Sequence, residues 1–235
     1  VNGPLEVGGV IRRVFSIYVE EASVLMPAAA VVFAVSGVLG TVLVASSSAL
    51  TLVALLLSLI ATTLFTGMVV ELVADVQDGR RDATPAGLLR AASPVLGQLI
   101  LVGVVEGVGI VIGFILIVIP GLILLTVWSV AAPVIVLERP PGLKALGRSR
   151  ELVRGSGWRV FGVILVLGVL VAVVAGVLDY AGESAGTGAG IVVRVVVGIL
   201  TAPLSALAAA VLYFELHTRE QGPEREPGSH SPGVL

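Results

Sequence analysis

Long apolar runs alternate with short polar connections along this chain, at 22–44, 50–73, 95–119, 121–137, 160–178 and 190–214. Each run holds about 17 to 25 residues with few or no charges, and about 20 residues at a 1.5 Å rise carry a helix across ~30 Å of hydrocarbon. Backbone amides in lipid must find partners within their own segment, so the runs are predicted to be helices despite their many Val and Ile residues. A barrel would need alternating segments of about ten residues, and the sequence has none. The pattern therefore predicts an all-α integral membrane protein with six transmembrane helices, arranged as three helical hairpins.

Three shorter segments have a one-sided polar pattern. Over residues 5–18, at about 100° per residue, Val7, Val10, Ile11, Val14, Phe15, Ile17 and Tyr18 share one face, and Glu6, Arg12, Arg13 and Ser16 the other. Such a helix is expected in the headgroup plane. Thr84 and Pro85, an N-cap followed by proline at the first helical position, open a second segment carrying Leu88, Leu89 and Arg90. A third runs from Pro141 to about Arg154, with Leu146 and Val153 opposite Lys144, Arg148 and Glu151. Each precedes an outward span, so the chain is expected to form three units, each a cytoplasmic-face amphipathic helix followed by two spans. The starts PLEVGGVIRRVFS, PAGLLRAAS and PGLKALGRSRELV resemble one another weakly. This pattern fits either structural repetition or the growth of a basic amphipathic piece in any inward loop. Residues 1–219 are thus the expected transmembrane domain. Residues 220–235, rich in Pro, Gly, Ser and Glu, are expected to form a disordered cytoplasmic tail.

Composition makes lipid the solvent. Only 13% of the residues are charged and 57% are hydrophobic, whereas soluble domains carry roughly 25% charged residues. Orientation follows from where Lys and Arg sit. Arg12, Arg13, Arg80, Arg81, Arg90, Arg139, Lys144, Arg148, Arg150, Arg154, Arg159, Arg219 and Arg225 all lie in connections separated by two crossings, and the opposite connections, at 46–48, 119–121 and 179–188, have none. Both ends are therefore expected inside, in a multi-pass protein of the cytoplasmic membrane. The dominance of Arg over Lys points to a GC-rich bacterial genome. A cleaved signal peptide would put a short apolar core directly after Arg12 and Arg13, but Glu20, Glu21 and a full-length run follow, so that segment is expected to be retained. With no cysteine, disulfide and thiolate chemistry are excluded.

Candidate chemistry centres on Glu106, near the middle of the third run, where an ionisable side chain costs several kcal/mol, about 2.5 to 3.5 for Asp on insertion scales. It shares an arc with Gly103, Gly107 and Gly113, and the small-x-x-x-small pairs Gly103/Gly107 and Gly109/Gly113 predict close helix contact. Glu106 is thus expected to face the bundle interior, as a proton- or substrate-linked carboxylate or as a structural one. Arg194, about one turn inside the outer end of the sixth run, is expected to snorkel, to pair with Asp179 or Glu183, or to reach Glu106. Pro133 and Pro203 are expected to kink their helices by freeing the carbonyls of Ser129 and Ile199, near the hydroxyls of Ser129 and Thr201. Trp128 is read as packing and Trp158 as an interface residue. The two histidines, His217 and His230, accompany no metal or nucleophile motif, and no phosphate-cradling loop occurs. No catalytic residue, metal or cofactor is therefore expected. The six cations from Arg139 to Arg159 (Arg139, Lys144, Arg148, Arg150, Arg154 and Arg159) are expected to contact anionic headgroups or a membrane or cytoplasmic protein partner. They lack the aromatic interleaving of a nucleic-acid surface.

Four stretches carry a family resemblance: PLEVGGVIRRVFSIY at 4–18, IPGLILLTVWSVAAPVIVLE at 119–138, ALGRSRELVRGSGWRVFG at 145–162 and LYFELHTREQG at 212–222. Together, in this order, they resemble the membrane domain that in some proteins precedes a glycerophosphoryl diester phosphodiesterase domain. The last departs from the pattern, with Glu215 where Asp is usual and Thr218 where Arg is usual. The resemblance implies a multi-helix membrane domain. It does not imply phosphodiesterase activity, because the catalytic barrel is absent from these 235 residues. The basic inner loops and amphipathic segments favour a non-enzymatic module organising lipid or a partner at the inner leaflet; the alternative is a small transporter or lipid-translocating protein using an intramembrane carboxylate.

Overall fold

The computed structural model describes residues 6–46, 48–80, 84–184 and 187–221, and every regular element among them is helical. In chain order these are α1 (Val7–Glu20), α2 (Ala22–Ser46), α3 (Ser48–Gln77), α4 (Pro85–Ala92), α5 (Leu96–Leu116), α6 (Val118–Trp128), α7 (Ala131–Leu137), α8 (Lys144–Val153), α9 (Gly157–Ser184) and α10 (Thr187–Gln221). Among the described residues, five stretches are long and apolar enough to cross a membrane: Leu56–Gln77, Pro85–Leu116, Val118–Leu137, Gly157–Gly182 and Val192–Gln221. A sixth is added if Val7–Glu20 and Ala22–Val35, bent by 81° where they meet, form one span. The chain is a helical, multi-span membrane protein.

The closest packing joins neighbours in sequence, α2 with α3, α5 with α6 and α9 with α10, and each pair follows a shorter helix, α1, α4 or α8. The core lies among α1, α3, α7 and α10, where Val14, Phe65, Leu72, Ile135, Leu207 and Leu212 are sealed from solvent. Val108, Val111, Ile112 and Ile115 of α5 and Val166, Val169, Val173 and Val177 of α9 point outward, exposed. In water such patches would be an aggregation liability; facing acyl chains they are solvated.

α1 shows its two faces plainly: Val10, Val14 and Ile17 are buried while Glu6, Arg12, Arg13 and Ser16 are exposed. Its apolar face is taken up by the protein itself. It packs on α9 and α10, and the Tyr18 hydroxyl donates to the carbonyl of Leu200 at 3.0 Å. α4 begins as its capping residues predict, with the Thr84 hydroxyl accepting from the Gly87 amide at 3.2 Å and Pro85 inside the first turn.

Three boundaries differ from those the sequence predicts. The turn expected at 119–121 falls at Ile117, which is extended (φ −160°, ψ 144°), and Pro120 sits in the first turn of α6, where no amide is needed from it. This tight reversal depends on glycines: a Cβ on Gly113 would lie 2.9 Å from the Gly121 Cα, and one on Gly121 2.6 Å from the Phe114 ring. The connection expected over 179–188 is mostly helix, since α9 continues to Ser184 and α10 starts at Thr187. Gly182 allows this by lying against Val193, 2.9 Å from where its Cβ would be. The expected tail starts too early, because α10 continues through Glu220 to Gln221; the rest of it, 222–235, lies outside the described residues. Pro27 is carried inside α2.

Candidate functional site

At the middle of α3, α5 and α10, a cavity of about 280 Å³ opens beside Glu106. α3 contributes Leu59, Thr62, Thr63 and Thr66, and Ser205, Ala206 and Ala209 come from α10. Among the described residues, Glu106 is the one ionisable side chain on this wall, and no hydrogen bond or ion pair reaches its carboxyl.

The fourth side of the cavity is a broken helix. α6 stops at Trp128 and α7 starts at Ala131, and both Trp128 and Ser129 line the cavity. The cause is local: Pro133 has no amide to give Ser129, and Val130 leaves helical geometry (φ −108°, ψ 15°). The exposed backbone is then satisfied by side chains. Buried Ser149 of α8 donates to the Val127 carbonyl at 2.7 Å, and Ser129 donates to the Thr126 carbonyl at 2.9 Å. Pro203, by contrast, sits within an uninterrupted α10, where Thr201 donates to the Val197 carbonyl at 2.7 Å.

Trp128 is positioned by Gly109, whose absent Cβ would lie 2.6 Å from the indole ring. Of the two small-residue pairs in α5, only Gly109/Gly113 is used for close packing. Nothing lies within 4 Å of a Cβ on Gly103 or Gly107; Gly103 borders the cavity and Gly107 is exposed. The reason is geometric: α6 approaches one side of α5, and Gly103 and Gly107 lie off that contact. Arg194 is exposed and away from the cavity, so it makes no pair with Glu106.

A second polar group ties α7, α8 and α10 together. The Arg148 guanidinium donates to Glu138 Oε2 at 2.9 Å through Nε and to both Glu220 oxygens, at 2.7 and 2.5 Å. Tyr213 donates to Glu138 Oε1 at 3.0 Å and stacks on His217 with ring centroids 5.3 Å apart. His217 Nδ1 is buried, has no hydrogen bond among the described residues and stands 3.9 Å from Glu138 Oε1. Hydrogen bonding to Glu220 lifts Arg148 above its ordinary pKa; burial opposes the rise and Glu138 adds to it. Tyr213, His217 and Glu220 stand at i, i+4 and i+7, one face of a helix. That spacing is the sign in the sequence that the helix continues to Glu220.

The six cations between 139 and 159 are therefore not equivalent. Arg148 is paired with Glu138 and Glu220, with Glu151 3.7 Å away, and Arg139 bends back to the Val136 carbonyl at 3.4 Å. Lys144, Arg150, Arg154 and Arg159 are exposed, with no ion pair among the described residues. Trp158 is 87% exposed and meets Phe161 edge to face. No group of three or more potential metal ligands occurs among the described residues. No family model, curated protein or solved structure matches this chain, so the resemblance to the phosphodiesterase-associated membrane domain rests on its four sequence stretches alone.

Proposed function

We propose that this chain is a small transporter or lipid-translocating protein of the bacterial cytoplasmic membrane, built as three hairpins with both ends inside. The observation that carries this reading is Glu106: a solitary carboxylate on the wall of a mid-helix cavity, opposite a broken helix. An unpaired carboxylate among apolar helices costs free energy that a purely structural residue need not incur. Broken spans with irregular backbone facing a cavity are also where transporters hold their ligands. In proteoliposomes, flip of a fluorescent phosphatidylcholine and proton movement should both be protein-dependent, and E106Q should reduce at least one of them about tenfold or more. Fluxes that E106Q leaves unaltered would remove the reading.

The exposed cations Lys144, Arg150, Arg154 and Arg159 favour a second, non-enzymatic role, organising anionic lipid or a partner at the inner leaflet. Charge reversal at Arg150 and Arg154 should then deplete co-purifying phosphatidylglycerol or a co-purifying partner. Unchanged lipid and partner profiles would end that proposal.

A further inference from the structure

We infer that the Glu106 cavity takes a singly charged amphipathic cation, an alkylated or protonated amine with a small apolar group, and that this cation and a proton compete for the carboxylate. The inference deepens the transport reading and rests on its assumption that Glu106 faces a ligand.

The wall decides the sign of the ligand. Its one ionisable group is a carboxylate, and no cation among the described residues stands on the wall to balance a bound anion. Its hydroxyls point the same way. Thr62 donates to the Ser58 carbonyl (2.8 Å), Thr66 to Thr62 (2.9 Å), Ser129 to Thr126 (2.9 Å) and Ser205 to Ala202 (3.0 Å). A carbonyl can only accept, so each of these four hydroxyls has committed its hydrogen and keeps only lone pairs for the cavity. Apart from Thr63 and the indole of Trp128, the polar wall is thus made of acceptors. Phosphate, sulfonate or carboxylate ligands would meet lone pairs and, wherever the carboxyl is ionised, a like charge.

The rest of the lining decides the class of cation. Leu59, Leu99, Val102 and Ile135 are apolar and Trp128 supplies an aromatic ring, which favours a weakly hydrated organic ammonium. A Ca²⁺ or Mg²⁺ ion wants about six or more oxygens with several charges, whereas the wall offers one carboxylate. About 280 Å³ is roughly nine times the ~30 Å³ share of a liquid water, room for on the order of ten non-hydrogen atoms.

Exchange follows from charge balance. In apolar surroundings an uncompensated carboxylate takes a proton, and a cation Q⁺ can replace it: COOH + Q⁺ gives COO⁻·Q⁺ + H⁺. One proton leaves for each cation that binds, and no further reactant is needed.

The test uses the full chain carrying W158F, which leaves Trp128 as its sole tryptophan, in phosphatidylcholine nanodiscs. Benzyltrimethylammonium is titrated against Trp128 fluorescence, beside its neutral isostere neopentylbenzene and the anion benzenesulfonate. The expected result is saturable cation binding at least about tenfold tighter than either control. Its affinity should rise about tenfold per pH unit while the carboxyl is protonated and level off once it is ionised, because the quaternary ammonium itself never titrates. In the pH range where affinity still rises, a pH-indicator dye in weak buffer should register close to one proton released per cation. E106D should retain binding and E106Q lose it; if E106Q does not fold, the pH dependence of the unaltered site decides. Equal binding of the neutral isostere, or affinity independent of pH, overturns the inference. Cation binding that fails while lipid flip stays sensitive to E106Q removes the ligand class but leaves the transport reading. Binding as expected without any flux keeps this site and removes transport.

Discussion

Arg148 and Glu220 stand 72 positions apart and meet through both terminal nitrogens of the guanidinium, while its Nε holds Glu138. Arg148 and Glu138 side chains are each 24% exposed and Glu220 is 44% exposed. The pair is therefore partly screened, and its loss is worth less than that of a fully buried one. R148A should destabilise the protein by roughly 2 kcal/mol, because it also strands Glu138 beneath Tyr213. E220Q should cost roughly 1 kcal/mol or less. Thermal unfolding in detergent, run as a double-mutant cycle, checks the coupling; strictly additive losses would mean that the two residues act independently.

The contact between Gly109 and Trp128 allows a size series in α5. A Cβ at Gly109 would sit 2.6 Å from the indole, so G109A forces the ring toward the cavity and G109L cannot be accommodated. Overpacking of this kind costs about 1–3 kcal/mol. G107A, on an open surface, should be neutral or slightly stabilising by helix propensity. If the two alanine variants unfold at the same temperature, the α5–α6 contact is not as described.

Much of the fold could be read from the sequence because lipid imposes a coarse rule: an apolar run of span length is a helix wherever it packs. What eluded reading was which side of each helix meets which neighbour. Gly103/Gly107 and Gly109/Gly113 have the same spacing, and only the approach of Trp128 and Gly121 from α6 separates them. The broken span could be foreseen from Pro133, but not that Ser149, 22 positions from Val127, would cap its free carbonyl. Glu106 stood out by its cost in lipid; the threonines and serines around it did not, because a hydroxyl bonded to its own helix leaves no mark on apolar periodicity.

Ser149 gives a sensitive probe of the break. It is fully buried and donates to Val127 at 2.7 Å. S149A leaves that carbonyl without its donor and should cost about 1–3 kcal/mol. S149T keeps the hydroxyl but adds a methyl at a fully buried position, so its loss should come from packing. Amide hydrogen exchange separates the two: S149A should accelerate exchange around 127–131 specifically, whereas S149T should affect α8 and its neighbours together. Unchanged exchange at the break in S149A would mean that water or another donor satisfies Val127.

The proposed orientation can be tested cleanly because the chain has no cysteine. Thirteen of its Lys and Arg residues fall in alternate connections and Arg194 alone lies in the sixth apolar run, so the charge bias is one-sided. Ile119, 64% exposed beside the α5–α6 reversal, should react as I119C with a membrane-impermeant maleimide applied to intact spheroplasts. R154C, exposed between α8 and α9, should react only after the cells are opened. S93C, also exposed and lying between α4 and α5, should behave like R154C, since two crossings separate them in a three-hairpin layout. Labelling of I119C and R154C from the same side would require an even number of crossings between α5 and α9. The broken α6–α7 segment, the apolar stretch between the two positions, would then have to be re-entrant rather than spanning, and the three-hairpin layout would fall.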